Sequence, residues 1–419
     1  MKNKISCILG EYKNNKVKII ILSKKSYDIK LDINKNNTKE RLIIIEKYKI
    51  NDIVLENIKE GNRYDISFID KKTNKTIENI FINLEENPFN NVKIVNCDSN
   101  FGIETYTWEL IDKKFGVIFH LGDFLYNDAV FRKYYNNILK NNIDYESIKQ
   151  TIYEELYDNY IECITRKQYY LKNNFNYIMT DDHETVDNNY YDKNKNISIF
   201  VKIYKLFKKV EINIFNNLRF GNNKIEFIND YTNKTVYILN YENMIINSDI
   251  INKYNIYDNI KNYKNIFFLE RKCFSSSKPS ILSGIIFQEK EINRNNDDLY
   301  KLFDKLCNKD ININININII SGDIHIISNM DIYNKKLNYK ICSVKNVGAI
   351  NTCVNIFSSN LFIDSKKYYS KNEEIIYKNG FIYVNYKTDK INLKNIMNSK
   401  TNIVFNIINN IITGIKFVF

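Results

Sequence analysis

An all-β segment followed by an α/β region is the architecture this sequence predicts, and three observations predict it. Residues 17–85 alternate apolar and polar positions in short stretches separated by Asn, Lys and Gly turns. From Val92 onward, short apolar runs ending in polar loops are interleaved with stretches of helical periodicity. Between the two stands Pro88, one of only 2 prolines, directly after Glu85-Glu86-Asn87, where a linker is expected. Composition permits both parts, because 44% hydrophobic and 14% aromatic residues in a 419-residue chain supply a large core and exclude wholesale disorder.

In chain order, residues 17–22, 27–31, 41–45, 64–68 and 77–84 read as strands of an all-β sandwich. The stretch Val54-Leu-Glu-Asn-Ile-Lys-Glu-Gly61-Asn-Arg-Tyr64 resembles the L-x-P-G-T-x-Y corner of fibronectin type III domains, with Glu60 where proline is usual. Residues 92–95 and 116–121 are strand-like apolar runs, and residues 128–174 are helical in pattern, most clearly at 145–160. Further strands are expected at 176–179 and 236–239, and a helix at 299–307. Ile and Asn alternate over 311–320, the pattern of a strand with one buried face. Strand-like stretches such as 380–386 return after about residue 361. The expected division is therefore a β-sandwich over 1–88, an α/β domain over 89–360 and a β-rich extension over 361–419 that closes the core.

The 61 Lys and Arg against 49 Asp and Glu leave a formal charge of +12. Asn, Lys, Ile and Tyr are all abundant, as AT-rich coding would make them, so charge alone does not assign a nucleic-acid partner. The apolar stretch from Ile5 to Gly10 is too short for a signal sequence, and no uncharged apolar run reaches bilayer length. The 7 cysteines are odd in number and form no C-x-x-C pair, which predicts reduced thiols and a cytoplasmic location.

The chemistry concentrates around the 3 histidines, each beside aspartate in a polar loop after an apolar run. They lie in His120-Leu-Gly-Asp123, Thr180-Asp-Asp-His183-Glu184 and Ser321-Gly-Asp-Ile-His325, and Asn96-Cys97-Asp98 supplies a fourth loop of the same kind. Carboxylates balance the charge of hard cations and imidazole adds a stronger donor, so loops gathered at the carboxyl ends of strands predict a metal centre. The glycine before Asp123 and the one before Asp323 let the backbone turn tightly.

The ordered series resembles the alkaline phosphatase D (PhoD-like) branch of the calcineurin-like metallophosphoesterases, which carry S-C-D, H-L-G-D-x-x-Y-x-D, D-D-H-E and S-G-D-x-H in this order. Here these stand as Asn96-Cys97-Asp98, His120-Leu-Gly-Asp123-Phe-Leu-Tyr126-Asn-Asp128, Asp181-Asp-His-Glu184 and Ser321-Gly-Asp-Ile-His325. Trp108 and Gly284-x-x-x-Gln288 extend the resemblance, which spans about residues 92–350. It implies a four-layer α/β/β/α sandwich behind the fibronectin-like start, with a two-metal site at one edge. By the resemblance, Asp98, Asp123, Tyr126 and His325 hold one metal, and Asp123 bridges to a second that also takes Asp182 and Asp323. His183 acts as general acid for the leaving oxygen or holds the phosphoryl group. His120 is expected to hydrogen-bond behind the Asp123 loop, Cys97 to be either a ligand or packing, and Asp181 to be an additional site residue.

The implied cofactors are Fe3+ with Ca2+, or alternatively Zn2+, Mn2+ or Mg2+, and the implied substrate is a phosphate ester. The implied activity is metal-dependent phosphomonoester or phosphodiester hydrolysis. One element departs from the family: where relatives carry L-D-x-R, this chain has Leu239-Asn240-Tyr241-Glu242, and Glu242 there would repel a substrate anion. That departure and the basic charge sustain a competing expectation, a catalytically degenerate fold that binds nucleic acid or another polyanion.

Overall fold

The computed structural model describes residues 5–33, 41–96, 113–186, 197–242, 244–271, 297–308, 315–322, 328–334, 336 and 340–346, with strand segments at 368–372, 375–378, 381–385, 390–392, 402–408 and 411–418. The chain forms two compact units, residues 1–93 with 112–222 and residues 94–111 with 223–419. The unit boundary does not fall at Pro88, which opens a buried 3-10 turn capped by the Asn87 side chain.

The first unit begins with seven strands: β1 (Ser6–Lys13), β2 (Lys16–Leu22), β3 (Tyr27–Ile33), β4 (Arg41–Ile45), β5 (Asn51–Glu56), β6 (Arg63–Asp70) and β7 (Lys75–Asn83). They pair antiparallel in two sheets, ordered β1-β2-β5 and β4-β3-β6-β7. The period of two explains the second sheet: Ile29 and Leu31, Ile66 and Phe68, Ile80 and Ile82 point inward while their neighbours are more exposed. At the corner before β6, the Tyr64 hydroxyl accepts the Lys59 N–H at 2.8 Å and donates to the Asn57 carbonyl at 3.4 Å.

Sequence pattern did not predict β1, because Ser6, Gly10 and Glu11 read as polar or loop residues. The strand is nonetheless buried along almost its whole length. Gly10 lies so close to Leu218 that a Cβ would stand 2.5 Å from its carbonyl oxygen, and the buried Glu11 carboxylate accepts the Phe220 N–H at 2.5 Å. Buried polar groups that find partners in this way cost little.

The α/β part of the unit contains β9 (Val117–Leu121) and β10 (Phe175–Met179), reached through β8 (Val92–Val95), where the chain passes between units. β9 and β10 pair parallel and both are buried at every position, as parallel strands covered on both faces are. Between them run helices α1 (Asp128–Asn141), α2 (Tyr145–Arg166) and α3 (Gln168–Lys172), and α4 (Ile197–Asn216) follows β10. Asp144 caps α2 by accepting the Ser147 N–H, and Asn142 ends α1 in the left-handed region. Phe131 of α1 packs edge-on against Phe207 of α4 and tilted against Phe200, joining the helices into one core.

In the second unit, seven strands form one mixed sheet: β11 (Ile225–Asn229), β12 (Thr235–Asn240), β13 (Asn265–Glu270), β14 (Asn316–Ser321), β15 (Ser328–Asn334), β16 (Lys340–Asn346) and β17 (Tyr368–Asn372), in the order β11-β12-β13-β14-β16-β15-β17. β12, β13, β14 and β16 run parallel. Short helices α5 (Ser248–Lys253) and α6 (Ile256–Ile260) and the longer α7 (Asp297–Asn308) accompany the sheet. Leu299, Tyr300, Phe303 and Leu306 of α7 belong to the same core cluster as Ile266, Phe268 and Ile319 of the sheet. The C-terminal segments contain β18 (Ile375–Lys378), β19 (Phe381–Asn385), β20 (Lys390–Asn392), β21 (Asn402–Ile408) and β22 (Ile411–Val418), with β18-β19-β20 one antiparallel sheet and β21-β22 an antiparallel pair.

The Ile/Asn repeat corrects one expectation. Its described half is β14, but Asn318 is buried together with Ile317, Ile319 and Ile320, so both faces are covered rather than one. Interior position between β13 and β16 is the reason, and the Asn318 amide donates to the Asn316 side chain at 3.2 Å. The chain is thus mixed α/β with several helices, as its patterning predicts. Among the described residues, no helix is long and apolar enough to cross a membrane.

Candidate metal centre

Parallel pairing of β9 and β10 aligns Leu121 with Met179, so the loops that follow leave the sheet side by side. Gly122 at φ 120° allows the first loop to turn sharply, and Asp123 follows in the left-handed region at φ 50°. The result brings one ligand atom each from Asp123, Asp182 and His183 within 4.8 Å of one another. Asp123 is buried, whereas Asp182 and His183 are half-buried and open to a ligand. Tyr126 joins the group, its hydroxyl donating to Asp123 Oδ2 at 3.3 Å and its ring lying 4.4 Å from the His183 ring.

Asp128, at the start of α1, holds His183 through a 2.7 Å contact between Oδ2 and Nδ1. Burial opposes a charged imidazole, but Asp123, Asp128 and Asp182 together overcome it and push the His183 pKa up to about 11. With Nδ1 committed to Asp128, Nε2 is the nitrogen left for a ligand or proton transfer.

Behind these groups the two loops are fastened together. The fully buried Glu184 accepts the Phe124 N–H at 2.5 Å on one oxygen and the Asp181 N–H at 2.8 Å on the other. Burial and the nearby Asp123 and Glu211 push its carboxyl well above the ordinary range, against the pull of the Asp181 N–H. Asn127 donates through its side chain to the Glu184 carbonyl at 2.6 Å and through its backbone to the His183 carbonyl at 2.8 Å. Buried Lys167 donates to the Phe124 carbonyl at 2.7 Å, so Phe124 is held through both of its backbone polar groups.

In the second unit, the described residues that open the other two motifs, Asn96 and Ser321-Gly322, lie together. Gly322 packs so tightly on Asn96 that a Cβ would stand 2.4 Å from Asn96 Oδ1, and no larger residue fits without displacement. Glu270 pairs in register with Ser321 at the carboxyl end of the sheet. Its carboxylate accepts the Asn240 amide at 3.0 and 3.2 Å, and burial pushes its pKa up to about 8 against the opposing effects of Asn240 and Arg271. Glu242, expected to repel a substrate anion, is exposed and ion-paired with Lys224.

Of the residues expected at the site, Asp123, Tyr126, Asp182 and His183 converge. Asp181 lies beside them, buried, with its backbone tied to Glu184. His120 is buried behind the loop, its Nε2 3.1 Å from Asn176 Oδ1 and its ring edge-on to Phe124. Cys97, Asp98, Asp323 and His325, like Trp108, Gly284 and Gln288, lie outside the described residues. Sequence alone gives Asn127 and Glu184 no such role, and Asp128 stands in it only as the last residue of its motif. The one available signal was Glu184 closing the Asp-Asp-His-Glu run, which as a charge run reads as solvated surface.

No family model matches the sequence, and no curated protein matches it. The solved structure of PhoD is similar, with a TM-score of 0.56 at 11% identity over 99% of this chain and 91% of that one. A GH2 β-galacturonidase from Eisenbergiella tayi aligns with a TM-score of 0.20 at 9% identity, covering 77% of this chain and 46% of that one, too low to carry an argument. The chain therefore has a fold like that of PhoD, with an acidic cluster able to hold a metal ion.

Proposed function

We propose that this protein is a metal-dependent phosphoric ester hydrolase of the alkaline phosphatase D type, acting on phosphomonoesters or phosphodiesters. The observation that carries the proposal is the convergence of Asp123, Asp182 and His183 at the ends of two parallel strands. The PhoD-like fold and the tight Asn96–Gly322 contact support it. By the resemblance, Asp98, Asp323 and His325 are proposed as further metal ligands.

The donor set fits the implied metals: carboxylates and a phenol suit hard cations such as Fe3+ and Ca2+, and the same oxygens accept Zn2+, Mn2+ or Mg2+. Asp123, Tyr126 and Asp182 are the described residues that would hold them. When bound, such a pair supplies polarisation of the phosphoryl oxygens and an acidified water. Buried Asp123 is the carboxylate best placed to be shared, because Gly122 and its own left-handed backbone aim it into the cluster. His183, oriented by Asp128, holds a proton on Nε2 to donate to the leaving oxygen or to a phosphoryl oxygen. Since Glu242 is neutralised at the surface by Lys224, repulsion of an anion there is weakened.

Seven antiparallel strands in sheets of three and four, with the Tyr64 corner, support a fibronectin type III-like N-terminal part. A four-layer α/β/β/α catalytic domain over 89–360 and an extension over 361–419 belong to the same proposal. The free thiols of Cys7, Cys163, Cys307 and Cys342 support a reducing compartment such as the cytoplasm.

Chelator-treated protein reconstituted with iron, calcium, manganese or zinc is expected to hydrolyse p-nitrophenyl phosphate or its bis ester, and Asp123→Asn to abolish turnover. Asn240, drawn to Glu270 where relatives carry the Asp of L-D-x-R, favours the competing reading of a polyanion-binding module. Inactivity with every metal, together with steeply salt-dependent nucleic-acid binding that survives Asp123→Asn, would decide for that alternative.

A further inference from the structure

Asp123 and Asp182 sit on separate loops, and nothing in the geometry of the parallel strands alone sets the distance between their oxygens. Two backbone amides next to them are tied to one side chain. Phe124 directly follows Asp123, and Asp181 directly precedes Asp182. Both N–H groups end on the same side chain, one on each oxygen of Glu184, at 2.5 and 2.8 Å. Glu184 is 0% exposed, so this carboxyl group lies in the interior at a desolvation cost that these two bonds help to offset. Phe124 is also held through the next peptide group, where Lys167 Nζ donates to the Phe124 carbonyl while lying 3.9 Å over the Phe124 ring. Left-handed Asp123 is thereby locked by contacts on the residue that follows it.

We propose that Glu184 is a positioning residue: its two oxygens clamp the Asp123 and Asp182 loops at the separation a bound metal requires. The inference rests on reading the cluster as a metal centre and adds to it a residue that touches neither metal nor substrate. A carboxyl group is the side chain suited to this task, because both of its oxygens can accept an N–H whether or not it carries a proton. Glutamine offers a single acceptor oxygen, and its NH2 group would face one of the two N–H donors. Aspartate keeps both oxygens but withdraws them by one methylene.

The experiment uses the full chain, treated with chelator and titrated with Mn2+ in a calorimeter, with the melting temperature recorded for each variant. Thr185→Val serves as control, because it removes a buried hydrogen bond to Glu211 one residue away without touching either loop amide. Glu184→Gln is expected to bind Mn2+ about tenfold or more weakly, in the range that loss of groups supporting metal ligands produces. Thr185→Val is expected to bind it as the wild type does, even where its melting temperature falls. Glu184→Asp is expected to lose affinity as well, and it serves as the test variant should Glu184→Gln not fold. Unchanged Mn2+ affinity in a folded Glu184 variant overturns the clamp while leaving the metal centre standing. A Thr185→Val variant as weak as Glu184→Gln also overturns it, by showing that general loosening suffices. Absence of Mn2+ binding by the wild type overturns the metal-centre reading and the clamp with it.

Discussion

Replacing Asp128 by Asn tests the electrostatics of the centre most directly. Asn can still accept the Nδ1–H of His183 at the 2.7 Å contact, so geometry is kept while the charge is removed. A hydrogen bond to an ionised acceptor contributes about 1.5–3 kcal/mol and a neutral one about 0.5–1.5 kcal/mol. The difference, about 1–1.5 kcal/mol, corresponds to a fall of about one unit in the His183 pKa. Asp123 and Asp182 remain to keep it above its ordinary value. The chain has only 3 histidines, so selective 15N-histidine labelling gives three resolvable imidazoles for titration by NMR. In chelator-treated wild type, His183 should stay protonated until pH approaches about 11, and Asp128→Asn should titrate about one unit earlier. Added Mg2+ or Ca2+ should lower both values, because Asp123 and Asp182 are then neutralised. A wild-type His183 that titrates near 6.5 would refute the reasoning, as would superimposable curves for the two proteins. The sign carries over to stability. The interactions of protonated His183 are fully present below pH 6.5 and are lost as pH rises through about 11, so the metal-free protein should weaken toward alkaline pH.

Glu270 gives a second alkaline limb in the other unit. Its burial adds no penalty below its ordinary value of 4.5, and stability is lost as pH rises through about 8. Urea denaturation should show Glu270→Gln gaining on the wild type between pH 5 and pH 9, by at most about 5 kcal/mol for full linkage. Equal pH slopes would remove the argument. Gly116→Ala places a Cβ 2.0 Å from the Asn91 carbonyl oxygen, so backbone must shift and the melting temperature should drop, at a cost of about 1–3 kcal/mol or more. A melting curve unchanged from wild type would contradict the close approach. Protein purified without chelator should show a phenolate-to-iron absorption band that Tyr126→Phe removes, whereas a band that survives the substitution assigns the colour elsewhere.

Much of the fold was readable because local patterning and burial agree. Ile29 and Leu31, or Ile66 and Phe68, alternate as a half-buried strand must, and β3 and β6 lie where that alternation places them. β1 escaped because Ser6 and Glu11 are hidden by partners as distant in sequence as Thr165 and Phe220. Periodicity cannot announce such a partner. The same limit applied at Asn318, where a polar residue in an alternating run lies inside the sheet.

The order of the loops that carry Asp98, Asp123, Asp182, His183 and Asp323 was already present in the chain, since residue type and local spacing are properties of neighbours. Tertiary structure alone decided that Asp128 reaches His183 across 55 residues and that Glu184 turns inward to Phe124 across 60. Both contacts follow from parallel pairing of β9 with β10, which sets remote loops side by side. A carboxylate's partner depends on what the folded backbone presents to it, and that is settled only when the strands have met.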